Sequence, residues 1–502
     1  MSRRWKVTSA IALLVLFSGR LSAQAPAPLA ITIAPNWASI VRVSMTKITL
    51  QAVANPPLRR GSPIHYAAWE SMRALHARDA RMAFWYPYPR LAVAELAAPS
   101  EGQTSWDFSL MDLLIEDFIR AANGRSVFTI STIPQWMFAT DAPVEIPADP
   151  NEAVWNYEQR SRLRDESLQE VASYYERVAR WYFRGGFRDE LGVEHASGHH
   201  YKAGYWEVLN EPEFEHSLSP EYYTRIYDAV VGRVHRVSPR LQFVGMSLAE
   251  PEKGASFFDY FLDHSHHARG IPLDAISYHF YAHGQTGETD GAQAASFFAQ
   301  ADNFLQTVDK IEEIRARLSP QTQTQINETG CIAANDLSKT ADSMSGKGIS
   351  PAYWNLCGAM FAYLFGNLSA RGIDLVGASQ LLGYPSQFPS VSLVDWNTGA
   401  PNARYFALQL LIGNFSAGDR LCDLPVSTPE VFSQAFRHRG VRELLLINKT
   451  LDRETVVVAG SKGGLEQHVD MAFSGIARSR LSSDTVLLGP ASVMVIQFNS
   501  RH

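Results

Sequence analysis

Eight short β-type segments, each followed by a helical stretch, run through residues 47–418, and this alternation limits the fold more than any other feature of the chain. The predicted strands are residues 49–54, 80–85, 126–131, 205–209, 242–246, 274–280, 324–327 and 373–378. Helices are predicted at 110–122, 168–183, 222–237, 294–318 and 353–368. In the first of these, Leu113, Leu114, Phe118 and Ile119 share one face at helical spacing. Ser219 followed by Pro220 marks a helix start, because a hydroxyl can accept from the free N–H groups of the first turn and proline lacks an N–H to lose. Eight strand–helix units predict an α/β fold, a (β/α)8 TIM barrel, rather than an open doubly wound sheet.

After residue 418 the texture changes to short alternating runs at 431–436, 442–448, 454–459, 467–472, 484–488 and 492–498, separated by turn residues. They predict a C-terminal antiparallel β-sandwich over 419–502, with the β-rich segment 30–46 adding a strand to it. Arg3, Arg4 and Lys6, the apolar run 9–17 and Leu21-Ser22-Ala23 read as a signal peptide over 1–23, which predicts a secreted or periplasmic protein with no membrane segment after cleavage. The connection between the third and fourth strands is long. It includes 141–156, rich in proline and acids, and 185–205, with several Gly and His. Connections of that length commonly cover or build a site.

The formal charge of −6, from 45 Lys and Arg against 51 Asp and Glu, excludes nucleic acid as the main partner. Neither a phosphate-binding glycine loop nor a clustered cysteine set is present, so no nucleotide cofactor or metal is expected. Cys331 and Cys357 can be read as a disulfide or as buried thiols.

Two segments carry chemistry. Tyr205-Trp206-Glu207-Val208-Leu209-Asn210-Glu211-Pro212 runs from an apolar strand into Asn-Glu-Pro, and Gln325-Ile326-Asn327-Glu328-Thr329-Gly330 again ends a β-type run at a glutamate. Strand C-terminal ends form the working face of a barrel, so the fourth and seventh strands would bring two carboxylates to one mouth. Glycosidic cleavage needs such a pair. A gap of about 5–5.5 Å suits a covalent intermediate and retention, and a gap of about 6.5–9.5 Å leaves room for water and gives inversion.

On these residues the chain resembles the clan of retaining (β/α)8 glycoside hydrolases, and most closely glycoside hydrolase family 39, which contains β-xylosidases and α-L-iduronidases. The resemblance implies Glu211 as general acid/base and Glu328 as nucleophile. It also implies Asn210 as a contact to the sugar 2-hydroxyl and, from Ser277-Tyr278-His279-Phe280-Tyr281, Tyr281 as a partner of the nucleophile with His279 lining the subsite. The first strand, Ala52-Val53-Ala54-Asn55, and Ser379-Gln380 at the eighth depart from the family's Arg-x-His and Trp, which bears on the substrate. The implied activity is an exo-acting, β-xylosidase-like hydrolysis of oligosaccharide or glycoside fragments of plant or microbial polysaccharide, without a cofactor. An endo-acting glycanase and a non-catalytic carbohydrate-binding barrel are the alternatives.

Trp85 and Trp136, just beyond the second and third strands, are candidate sugar platforms, since pyranose C–H groups pack on aromatic faces. Glu213 and Glu215 read as solvated loop charges, and His199, His200, His264, His266 and His267 as surface or rim histidines. Gly245-Met246-Ser247-Leu248-Ala249 lacks the last glycine of a nucleophile elbow.

Overall fold

Alternate residues on one strand, Ala80–Phe84, face two environments. Met82 and Phe84 join the apolar layer beneath the helices, while Arg81 meets Gln51 and Glu207 from other strands in the barrel interior. The computed structural model describes residues 31–140, 144–157, 162–338, 349–383, 388–424 and 428–499; the predicted signal peptide lies outside the described residues. Eight parallel strands close a barrel: Lys47–Val53, Ala80–Phe84, Ser126–Ile130, Tyr205–Glu207, Gln242–Leu248, Ala275–His283, Gln323–Ile332 and Leu375–Ala378. Every predicted strand falls on one of them, and the eighth pairs with the first from Leu375 opposite Lys47.

The helices start where the sequence supplies caps. Ser219 accepts from the Tyr222 N–H before Pro220–Val237, and Ser350 accepts from the Tyr353 N–H before Pro351–Arg371. Gly372, at φ +86°, ends the latter with its N–H on the Leu368 carbonyl.

The C-terminal strands form a seven-stranded and a three-stranded sheet. The N-terminal segment gives a strand to each: Asn36–Val43 pairs antiparallel with Arg420–Asp423, and Ile31–Ile33 pairs parallel with Glu454–Val458. On Val441–Asn448 the alternation is used twice. Leu444 and Leu446 face the three-stranded sheet in an apolar core, and Leu445 and Ile447 belong to the core shared with the barrel. Phe436 and Phe432 reinforce that junction against Phe415 and Tyr363, with ring centroids 4.4 and 5.1 Å apart.

The long connection after the third strand does not act as one loop. Helix Gln169–Arg184 divides it. In the second part Asp189 and Glu190 accept from Thr104 and Trp106 of the loop after the second strand, and the chain then returns to the N-terminal end of the barrel, where the Gly204 N–H bonds the Ser126 carbonyl at the start of the third strand. Cys331 and Cys357 form a disulfide that ties the end of the seventh strand to helix Pro351–Arg371; Cys422 is a buried free thiol.

Candidate active site

Proline at 212 ends the fourth strand's run and opens the four-residue helix Pro212–Glu215, with Glu211 at its N-cap. Leu209 and Glu211 both take left-handed backbone, φ +64° and +44°, and the Glu211 N–H bonds the Ser247 carbonyl at 2.9 Å. This turn brings the Glu211 carboxylate over the barrel mouth. Glu328 arrives within the seventh strand. Its carboxylate, that of Glu211 and the His279 imidazole present atoms all within 4.8 Å of one another. The two predicted carboxylates therefore meet at one barrel mouth.

Three neighbours hold Glu328. Arg81 donates to Oε1 at 2.5 Å, Tyr281 donates to Oε2 at 2.6 Å, and His279 Nε2 lies 3.6 Å from Oε1. Burial raises the proton affinity of Glu328, but the charges of His279 and Arg81 and the Tyr281 bond more than offset it, so the group is held below the usual carboxylate range. Arg81 is 1 % exposed and spans the barrel. It also bonds Glu207 at 2.6 Å, Asn210 Oδ1 at 2.6 Å and Gln51. Glu207, itself buried, takes further bonds from Thr129, Ser277 and Asn327. A cation this deep persists only because carboxylates on two strands pair with it.

His279 corrects an expectation. It lies beneath the mouth, 1 % exposed, rather than lining the subsite, and its Nδ1 is 2.7 Å from Glu211 Oε1. Burial opposes charge on the ring, but Glu328 and Glu211 override it and raise its proton affinity. Its Nε2 contacts Ser247 Oγ at 3.0 Å. Ser247, His279 and Glu211 thus stand in the order of a nucleophile, base and orienting acid. Ser247 is fully buried, and its hydroxyl donates to Asn210 Oδ1 at 3.3 Å, so no carbonyl substrate reaches it. The chain rejects the elbow geometry as well as its sequence.

Tyr281 bonds Glu328, and its hydroxyl also contacts Ser379 Oγ. Asn210 lies beside Glu211, and half-buried Trp85 reaches the same cluster: both donate to Glu215 Oε1, from Asn210 Nδ2 at 2.8 Å and Trp85 Nε1 at 2.6 Å. Trp155, from the long loop, meets Trp85 edge to face at 5.7 Å. Trp136 is placed elsewhere. It lines a separate cavity of about 730 Å3 with Gln135, Phe138 and Arg164, whose guanidinium covers its ring at 4.6 Å.

Glu213 and Glu215 are not solvated. Glu213 accepts from the Ala249 and Glu250 N–H groups at 2.6 and 3.0 Å, and burial with the Glu211 charge pushes it up to about 7. Glu215 is buried, and burial followed by the Glu211 charge raises it well above the usual range. Trp206, inside the motif, points outward to pack on Tyr175 and Phe183.

Among the described residues, Glu211, His279 and Glu328 are the trio close enough to share a metal ion. Arg81 already supplies a cation to Glu328, and the ring nitrogens of His279 already face Glu211 and Ser247. That donor set does not favour a second cation. His264, His266 and His267 bond Ser319, the Tyr260 carbonyl and Asp228, as packing histidines do.

Arg81, Ser247 and the Glu215 contacts went unread in the sequence. One signal existed for Arg81: a lone arginine inside the otherwise apolar Ala80-Arg81-Met82-Ala83-Phe84 requires buried anions opposite it.

No family model matches the sequence, and no curated protein matches it. Solved structures do resemble it. A family GH51 arabinofuranosidase from Xanthomonas axonopodis pv. citri superposes with a TM-score of 0.61 at 12% identity, covering 93% of this chain and 99% of its own. A GH30 endoxylanase from Clostridium papyrosolvens C71 gives 0.53 at 12%, covering 94% and 100%. An α-L-arabinofuranosidase from Thermotoga maritima gives 0.57 at 11%, covering 93% and 99%. At such identities the likeness establishes the fold alone, an eight-stranded parallel barrel with a C-terminal antiparallel β-domain.

Proposed function

We propose that this protein is a secreted glycoside hydrolase that cleaves with retention through a covalent intermediate, acting as an exo-β-xylosidase-like enzyme on polysaccharide fragments, in the manner of family 39. One observation carries the reading: the Glu211 and Glu328 carboxylates lie within 4.8 Å across a single barrel mouth. Several structures of the same fold are named for pentose-containing substrates, arabinofuranosides and xylan, which supports a pentoside.

The steps follow from the charges. Glu328, kept ionised by Arg81, His279 and Tyr281, attacks the anomeric carbon. Glu211 gives a proton to the departing oxygen. Glu211 Oε1 lies 2.7 Å from His279 Nδ1, a hydrogen bond along which a proton can pass to Glu211. In the second step water loses a proton to Glu211, attacks the glycosyl ester and releases Glu328. The acid limb of activity reports protonation of Glu328. Because its affinity for a proton is lowered, activity persists to lower pH than an ordinary carboxylate would allow.

A screen of aryl β-xyloside, α-arabinoside, β-glucoside, β-galactoside and uronides, with the first-formed anomer read by NMR, tests this. The reading predicts turnover with retained configuration and a preference for pentosides. Inverted product, or no turnover on any glycoside or natural oligosaccharide, overturns it; internal cleavage of xylan in place of release from chain ends supports the endo-acting alternative.

A further inference from the structure

Glu215 is the buried acid that the double displacement leaves unused. It lies one helical turn past Glu211, with its N–H on the Glu211 carbonyl at 2.7 Å. One of its oxygens, Oε1, accepts from two side chains of different elements: Asn210 Nδ2, beyond the fourth strand, and Trp85 Nε1, beyond the second. A carboxamide has two acceptor positions and two N–H donors. In Asn210, Oδ1 already receives Arg81 Nη2 at 2.6 Å and Ser247 Oγ at 3.3 Å, and Nδ2 gives one hydrogen to Glu215 at 2.8 Å. Three of the four positions are engaged within the protein, and the fourth is an N–H.

We propose that Glu215 is a positioning residue: with Arg81 it locks the Asn210 amide so that Asn210 offers the substrate only a hydrogen-bond donor, and it fixes the Trp85 indole beside that donor. The inference rests on the glycosidase reading and deepens it, because the group recognised must be an acceptor, a sugar hydroxyl oxygen next to the anomeric carbon. Turning the amide over would set Oδ1 against the Glu215 carboxyl oxygen and Nδ2 against the Arg81 cation, so the two buried neighbours exclude the flipped form. Glu215 needs no negative charge for this. Burial and the Glu211 charge favour its neutral acid, whose carbonyl oxygen still accepts both bonds. Glutamine copies that shape and acceptor, and alanine removes both.

The test compares kcat/KM on the best aryl glycoside and on its 2-deoxy counterpart for wild type, Glu215→Ala, Glu215→Gln, Asn210→Ala and the Asn210→Ala/Glu215→Ala double variant. Glu215→Ala is expected to lose about 30-fold on the parent glycoside and less than about 3-fold on the 2-deoxy substrate, because the lost donor then has no hydroxyl to meet. Glu215→Gln should recover to within about 3-fold of wild type, and the double variant should be no worse than Asn210→Ala, since the two residues act as one unit. Equal losses on both substrates, no recovery with glutamine, or multiplied losses in the double variant overturn the inference. If Glu215→Ala does not fold, Glu215→Met, similar in length without an oxygen acceptor, takes its place. A wild-type protein inactive on every glycoside overturns the glycosidase reading and this inference with it; an active wild type with uniform losses in Glu215→Ala overturns this inference alone.

Discussion

The inside of the barrel and the inside of the sandwich are both built from alternating β-strands, yet they are filled by opposite chemistry. Between the two small sheets lie Ile33, Val431, Leu444, Leu446, Val456, Val458, Leu488 and Ile496, an apolar layer whose order comes from packing. Inside the barrel lie Arg81, Glu207, Gln51, Thr129, Ser277 and Asn327, and just above them His279, Ser247 and Glu328. A buried charge costs free energy unless it is paired, so the second filling adds little net stability and holds two carboxylates in a fixed relation instead. The sandwich core bears on stability alone. The barrel core sets what the mouth can do.

Substitutions in the two cores should therefore separate activity from stability. The largest effect is expected at Glu328. Glu328→Gln keeps shape and burial but removes the proposed nucleophile, and turnover measured with an activated aryl glycoside should fall by at least about 10,000-fold with little change in Tm. Arg81→Met comes next. It leaves Glu207 and Glu328 buried without their cation and should cost about 3–5 kcal/mol in denaturant unfolding, with loss of activity as well. In the sandwich, Leu446→Ala should cost about 2–4 kcal/mol by the same measurement and leave kcat/KM of the folded protein unchanged. Tyr281→Phe removes one hydrogen bond to Glu328 and should lower kcat by about 10–100-fold, with the acid limb moved to higher pH because a support of the ionised form is gone.

The smallest effect concerns Glu95, fully buried, with no hydrogen-bond partner for either carboxylate oxygen among the described residues. Burial and the charge of Glu190 push it up to about 8. The folded state then holds a proton that the unfolded chain releases above its ordinary value, so this group lowers stability as pH rises from about 4.5 to about 8. Glu95→Gln should raise Tm at pH 7 by a few degrees and flatten its fall between those limits in thermal scans. An unchanged slope would remove Glu95 as its source.

Much of the barrel was legible because its strands carry apolar runs and the helix Pro220–Val237 carries a cap at Ser219. The two site glutamates were legible because Asn-Glu-Pro and Asn-Glu-Thr-Gly each end a β-type run. The rest depends on partners far away in the chain. Glu213 and Glu215 look like loop acids until the fifth-strand loop supplies the Ala249 and Glu250 N–H groups, and Trp85 an indole N–H. Trp136 looks like a sugar platform until Arg164, some distance along the same connection, covers its ring. The second part of that connection looks like one loop until Asp189 and Glu190 are seen bound to Thr104 and Trp106, with Gly204 back at the start of the third strand. Trp206 faces out because Glu207, its neighbour in a three-residue strand, faces inward.

The paired-carboxylate account is tested most directly by incubating the protein with a 2-deoxy-2-fluoro xyloside bearing a good leaving group, then weighing the intact chain and its peptides. Stoichiometric labelling of the peptide that contains Glu328, reversed when a glycosyl acceptor is added, is the result expected. Turnover of aryl xylosides with no adduct, or an adduct on any other side chain, would contradict it.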